Sequence, residues 1–203
     1  RPTLTPAHFV DFWQRAATKW NGHPGLGGYG LMNEPHDLPE PGGVLESAYE
    51  REDLTVLPVF MQAAIDAIRA IDQSTPIYVA GNEWGGALNV ATKNPAYPLS
   101  GSGLVYEVHA YLDRRSTGQA FDWPSEAARM TLRGRHLAPI TAQTGRERVK
   151  VAVDWAKANK VHLALGEIGM PIDDPRWAQS FKGAVDLVLQ NGFEVYSWMG
   201  GSH

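Results

Sequence analysis

Short apolar runs separated by longer amphipathic stretches restrict this chain more than any other feature. Strand-like runs occupy residues 29–33, 77–80, 104–109, 161–165 and 193–198. Between them, apolar residues recur at i, i+3 and i+4, the spacing that gives a helix one apolar face. Phe9, Phe12, Trp13, Ala16, Ala17 and Trp20 form such a stripe, with Thr5 as cap, Pro6 in the first turn and Asn21-Gly22 as stop. Further helices are expected over about 53–71 and 144–159, and from the Asp174-Pro175 cap to the Asn191-Gly192 stop. Short strands alternating with helices run parallel, because a helical crossover brings the chain back to the same end of the sheet. The fold class is therefore α/β.

The number of units sets the architecture. The order opens on a helix, closes on a strand and holds five strands in 203 residues. A TIM (β/α)8 barrel needs three more βα units, about 100 residues at ~30 or more each. The chain reads as strands four to eight of such a barrel, residues 1–203 forming the C-terminal part of a single domain. Strands one to three and the last helix would lie outside it, so a preceding segment of the same polypeptide is the expected partner. A free-standing five-strand α/β sheet is the alternative.

Composition excludes several partners. The net charge is −4 with 20% charged residues, which gives no basic surface for nucleic acid or an anionic membrane. No apolar run approaches the ~18 residues a membrane span requires. There is no cysteine, so disulfides, thiolate metal sites and a thiol nucleophile are excluded.

Placing the polar residues on the strands brings out a pattern. Asn33-Glu34-Pro35-His36 ends the first strand and Gly81-Asn82-Glu83-Trp84 the second. His109-Ala110-Tyr111 ends the third, Gly166-Glu167 the fourth and Trp198 the fifth. One polar residue at a strand end is ordinarily a loop cap. Five in register mark the carboxyl face where barrels keep their chemistry. Other motifs fall away on inspection. Gly25 to Gly30 spells G-x-G-x-x-G but follows a helix and opens a strand, the reverse of a dinucleotide loop. His8, His23, His136, His162 and His203 have no ligand spacing, and no metal is expected. Ser102 lacks the G-x-S-x-G elbow. Glu83 and Glu107 are extra carboxylates near the face, Glu107 suited to an ion pair, and Asp113 and Arg114 suit a rim loop.

The stretches GYGLMNEPHDLP, IYVAGNEWGGA, LVYEVHAYLD, LALGEIG and VYSWMGGSH, in this order, resemble glycoside hydrolase family 5, the cellulase-like family of the Asn-Glu-Pro clan. The resemblance implies Glu34 as acid/base and Glu167 as nucleophile of a retaining hydrolase, without a cofactor. It implies that Asn33 bonds the sugar 2-hydroxyl, that His109 and Tyr111 line the site, and that Trp198 lies under the cleaved sugar. His36 and Trp84 match family positions at the substrate. The family also takes an arginine and a histidine from strands upstream of Arg1. The chemistry agrees with two carboxyls: one protonates the leaving oxygen while the other traps the oxocarbenium-like carbon, ~5–5.5 Å away in retaining enzymes. The implied substrate is a β-linked glucan-type polysaccharide or oligosaccharide, cut as by an endo-β-1,4-glucanase. Mannan, xyloglucan, β-1,3 or β-1,6 glucan, transglycosylation, and a non-catalytic carbohydrate-binding barrel remain open. A secreted or periplasmic location is implied as well.

Overall fold

The computed structural model describes residues 4–38, 53–128, 130–132, 135–171 and 173–198, with the backbone alone at 132, 135 and 136. Two compact units separate, one of residues up to 85 with 89–107, the other of 86–88 with 108 onward.

In the first unit, α1 (Pro6–Trp20) begins where its cap predicts. The Thr5 hydroxyl accepts from the His8 N–H while the His8 ring accepts from the Thr5 N–H, and Pro6 has no N–H to satisfy. Phe9, Trp13 and Ala17 are buried, but Phe12 and Trp20 are 60% and 41% exposed, so the expected apolar stripe is wider than the surface that covers it. β1 (Tyr29–Gly30) follows, and then α2 (Val56–Arg69), which packs against α1. Met61, Ile65 and Ile68 of α2 are almost fully buried, each worth ~1.5–3 kcal/mol relative to exposure. β2 (Ile77–Ala80), the short α3 (Val90–Lys93) and β3 (Leu104–His109) complete the unit, the last two residues of β3 belonging to the second. β1, β2 and β3 pair in that order, all parallel, with Tyr29 opposite Ile77 and Ile77 opposite Leu104.

The first strand is shorter than its apolar run. The ladder stops at Gly30, although the Leu31 N–H still donates to the Tyr78 carbonyl, and Glu34 beyond it adopts the left-handed region at φ 42. Beneath it, the Tyr29 hydroxyl donates to Asp72 at 2.9 Å, and Asp72 also accepts from the Ser74 and Thr75 N–H groups. Burial pushes the Asp72 carboxyl up, but the bonds from Thr75, Ser74 and Tyr29 outweigh it and hold the group well below the ordinary range. Burial and then the Asp72 partner raise the Tyr29 hydroxyl to about 12.

The second unit opens with the end of β3. A loop carries α4 (Trp123–Ala127), and β4 (Met130–Leu132) pairs antiparallel with β5 (Arg135–Leu137). That hairpin was not expected, since its residues show no two-residue alternation long enough to read. α5 (Thr144–Asn159) and α6 (Pro175–Gln190) pack on one another, and between them runs β6 (His162–Ile168), which pairs in parallel with β7 (Glu194–Ser197). Asp174 caps α6 by accepting from the Arg176 N–H, and Lys160 ends α5 in the left-handed region. Trp177 of α6 is fully buried, its indole N–H donating to the Phe121 carbonyl and its ring meeting Phe121 and Trp123 edge-on. These are the βα units of a TIM-barrel α/β fold, as the alternation predicts.

Candidate active site

Glu167 sits on an irregularity in its strand. Leu165 pairs with Val195 and Ile168 with Ser197, so three steps of β6 oppose two steps of β7. The extra residue falls at Gly166-Glu167, and such a bulge changes where the next side chain points. The expected strand ended at 165, before this bulge. The Tyr111 hydroxyl donates to Glu167 Oε2 at 2.7 Å, and His109 Nδ1 stands 3.5 Å from the same oxygen. His109 is buried at the end of β3, and the backbone beyond it is tied to β6 by the Ala110 N–H, which donates to the Glu167 carbonyl at 2.9 Å. Trp198, just past β7, donates its N–H to the Ile168 carbonyl at 3.0 Å and keeps its side chain 54% exposed. Sequence-expected His109, Tyr111, Glu167 and Trp198 thus come from three neighbouring strand ends of the second unit.

The first unit holds the other candidates. Asn33 is exposed, Glu34 half-buried and Pro35 buried, and the Pro35 carbonyl accepts from the Trp84 N–H at 3.1 Å. His36 stacks on Trp84 with ring centroids 4.4 Å apart and planes 13° from parallel, and its Nδ1 contacts Asp37 at 2.8 Å. Glu83, Trp84 and Gly85 are all left-handed, at φ 56, 57 and 63. Non-glycine residues held there carry local strain, which persists where surrounding contacts fix the chain. Here the contacts are visible: Lys93 pairs with Glu83 at 3.1 Å, and Asn94 accepts from the buried Asn82 N–H at 2.8 Å. Glu107 is half-buried, on the strand that carries His109.

The structure adds residues that the strand-end pattern did not single out. Arg148 of α5 is 8% exposed and donates to the carbonyls of Tyr111 and, at 3.3 Å, Arg114. Burial pulls its guanidinium below the usual range, opposed by the charges of Asp113 and Glu126. A signal existed. Thr144, Gly145, Arg148, Val149, Ala152, Val153 and Ala156 form the buried face of α5, and an arginine on such a face needs partners. Asp113, expected at a rim loop, is fully buried and ties that loop together, while Arg114 donates to the carbonyls of Ser125, Glu126 and Ala128. Among the other histidines, His162 pairs with Glu194 at 2.8 Å, whereas His203 and the side chain of His136 lie outside the described residues. No helix among the described residues is long and apolar enough to cross a membrane.

Comparison with known proteins bears on the family and the fold. The cellulase model of glycosyl hydrolase family 5 matches residues 4–203. Endoglucanase 3 of Humicola insolens is 31% identical over 192 residues, 93% of this chain and 38% of that protein. Endo-beta-1,4-glucanase B of Aspergillus niger is 30% identical over 164 residues, 78% of this chain and 40% of that one. The endoglucanase Cel5A of Pseudomonas stutzeri, solved in complex with cellobiose, superposes with a TM-score of 0.79 at 27% identity, covering 100% of this chain and 54% of its own. This chain spans less than half the length of these curated relatives.

Proposed function

The chain belongs to glycosyl hydrolase family 5, and from that membership we propose that the protein carrying it cleaves a β-1,4-linked glucan or its oligosaccharides with retention of anomeric configuration. In this reading Glu167 is the nucleophile and Glu34 the acid/base. Glu34 gives its proton to the glycosidic oxygen as that bond to the anomeric carbon breaks, and a Glu167 carboxylate oxygen forms the new bond from the opposite face. Glu34 then removes a proton from water, which attacks the same carbon and releases Glu167. Two inversions give net retention.

One observation carries the assignment: a carboxylate on a strand bulge, with one oxygen held by the Tyr111 hydroxyl and faced by His109. A hydrogen bond to an ionised group contributes ~1.5–3 kcal/mol and fixes the carboxylate plane. The other oxygen, Oε1, would make the attack. The stacked pair His36 and Trp84, past the ends of β1 and β2, supports a sugar-contacting surface near Glu34 in the chain. Asn33 is assigned to the sugar 2-hydroxyl, and exposed Trp198 offers an aromatic face against which sugar C–H groups stack. The same family membership supports a secreted or periplasmic location for the reaction. Preceding barrel strands from the same polypeptide would supply the remaining wall of the site.

Glu167→Ala should abolish hydrolysis of an activated aryl β-cellobioside, and added azide should restore turnover to give a glycosyl azide of inverted configuration. A rescued product that keeps the substrate's configuration removes Glu167 from the nucleophile's role. Activity on a panel of polysaccharides, with soluble β-1,4-glucan expected to be cut fastest, tests the substrate; a preference for mannan or β-1,3-glucan overturns that assignment.

A further inference from the structure

Tyr111 has to place its hydroxyl on Glu167, yet it sits where the chain leaves β3 for a loop. Beyond the Ala110 N–H bond to β6, contacts from outside the strand hold it there. Its carbonyl accepts from Arg148 Nη1 and, at 3.1 Å, from the Ser116 hydroxyl. The second arm of the same guanidinium reaches the Arg114 carbonyl at 3.3 Å. Its ring lies against Gly118, where a Cβ would stand 2.6 Å from Cδ1 and 2.8 Å from Cε1, and where φ is +68. The turn that delivers Gly118 is closed by Asp113, whose carboxylate accepts from the Gly118 N–H at 2.7 Å, the Thr117 N–H at 3.1 Å and the Thr117 hydroxyl at 2.8 Å. Asp113 is fully buried and Arg148 nearly so. Buried charges are hard to keep unless each is compensated, and replacing such a set by apolar groups frequently leaves stability unchanged or improved. Stability alone is therefore a weak reason for this arrangement.

We infer that Arg148 and Asp113, with glycine at 118, form a clamp that positions Tyr111 so that its hydroxyl engages Glu167. Both are positioning residues, acting through Tyr111 without touching substrate. The inference rests on the assignment of Glu167 as nucleophile. It predicts that Arg148 matters to catalysis only while Tyr111 has its hydroxyl, which a purely structural arginine would not show.

The test is a double-mutant cycle in the protein carrying this chain, using an activated aryl β-cellobioside and following kcat, KM and the thermal midpoint. Tyr111→Phe should lower kcat by roughly 10- to 100-fold, the scale of a lost bond to a charged group. Arg148→Met should lower it by a similar factor with KM changed less than about twofold, and combined with Tyr111→Phe it should add almost nothing. Arg148→Lys, which keeps one donor for the Tyr111 carbonyl, should retain more activity than Arg148→Met and fold if the latter does not. Its loss, too, should vanish in the Tyr111→Phe background. Equal losses from either Arg148 substitution in both backgrounds overturn the clamp. A Tyr111→Phe protein with wild-type kcat overturns the reading of Tyr111 and Glu167 instead.

Discussion

Two glycines on the packed helices α5 and α6 should respond in opposite directions to the same substitution. Gly145, in the first turn of α5, donates its N–H to the hydroxyl of Ser180, a fully buried residue of α6, at 2.8 Å. A Cβ at position 145 would lie 2.2 Å from the Ser180 carbonyl oxygen, roughly 1.3 Å inside an ordinary contact of ~3.5 Å. The obstacle is backbone, so no rotamer relieves it, and the helices must move apart. Overpacking of this kind costs about 1–3 kcal/mol, and the stretched hydrogen bond about 1 more. The gain from replacing a helical glycine is at most ~1 kcal/mol. Gly145→Ala should therefore destabilise the protein by roughly 1–3 kcal/mol, a fall in melting temperature of about 2–12 °C at this size. Gly183, within α6, is the control. Its nearest neighbour to an added Cβ would be Arg146 Cβ at 3.4 Å, an ordinary contact. Gly183→Ala should stabilise by about 0.5–1 kcal/mol through helix propensity. Urea unfolding followed by circular dichroism measures both. If Gly145→Ala proves neutral or stabilising, the close approach of the two helices is not what fixes glycine there.

Glu34→Ala should depress turnover of substrates with poor leaving groups far more than of activated aryl glycosides, which need little protonation; equal losses on both remove Glu34 from the acid's role. Trp198→Ala should cost ~1–3 kcal/mol of transition-state stabilisation with little change in melting temperature, and an unchanged kcat/KM would refute stacking there. Asp72→Ala should destabilise by about 1–3 kcal/mol at neutral pH, since Tyr29, Ser74 and Thr75 lose their acceptor. Because the folded Asp72 carboxyl titrates below its unfolded value of ~3.9, its charge contribution is complete above that pH and is lost as pH falls through the folded value. The gap between mutant and wild type should thus narrow on acidification, and a gap constant from pH 7 to ~3 would refute the linkage.

The sequence by itself determined the capped starts of α1 and α6 and which strands are followed by polar residues, because both are local. Thr5 and Asp174 cap the first turn beside them, and Pro6 and Pro175 fix the φ of the residue they occupy. Polar residues closing apolar runs placed Glu34, His109 and Glu167 at strand ends without knowledge of any neighbour. Tertiary structure alone decided what depends on a partner. Periodicity put Phe12 and Trp20 on an apolar face, but burial needs a second surface, and among the described residues they are only partly covered. The bulge at Gly166-Glu167 exists only relative to β7 and has no local signature. Arg148 stood on the buried face of α5 as an anomaly whose meaning lies in the carbonyls of Tyr111 and Arg114, more than thirty positions earlier. A side chain's own neighbours in sequence fix its backbone and its face, whereas the acceptor it finds depends on how distant segments pack, and the identity of Tyr111's support could be settled only there.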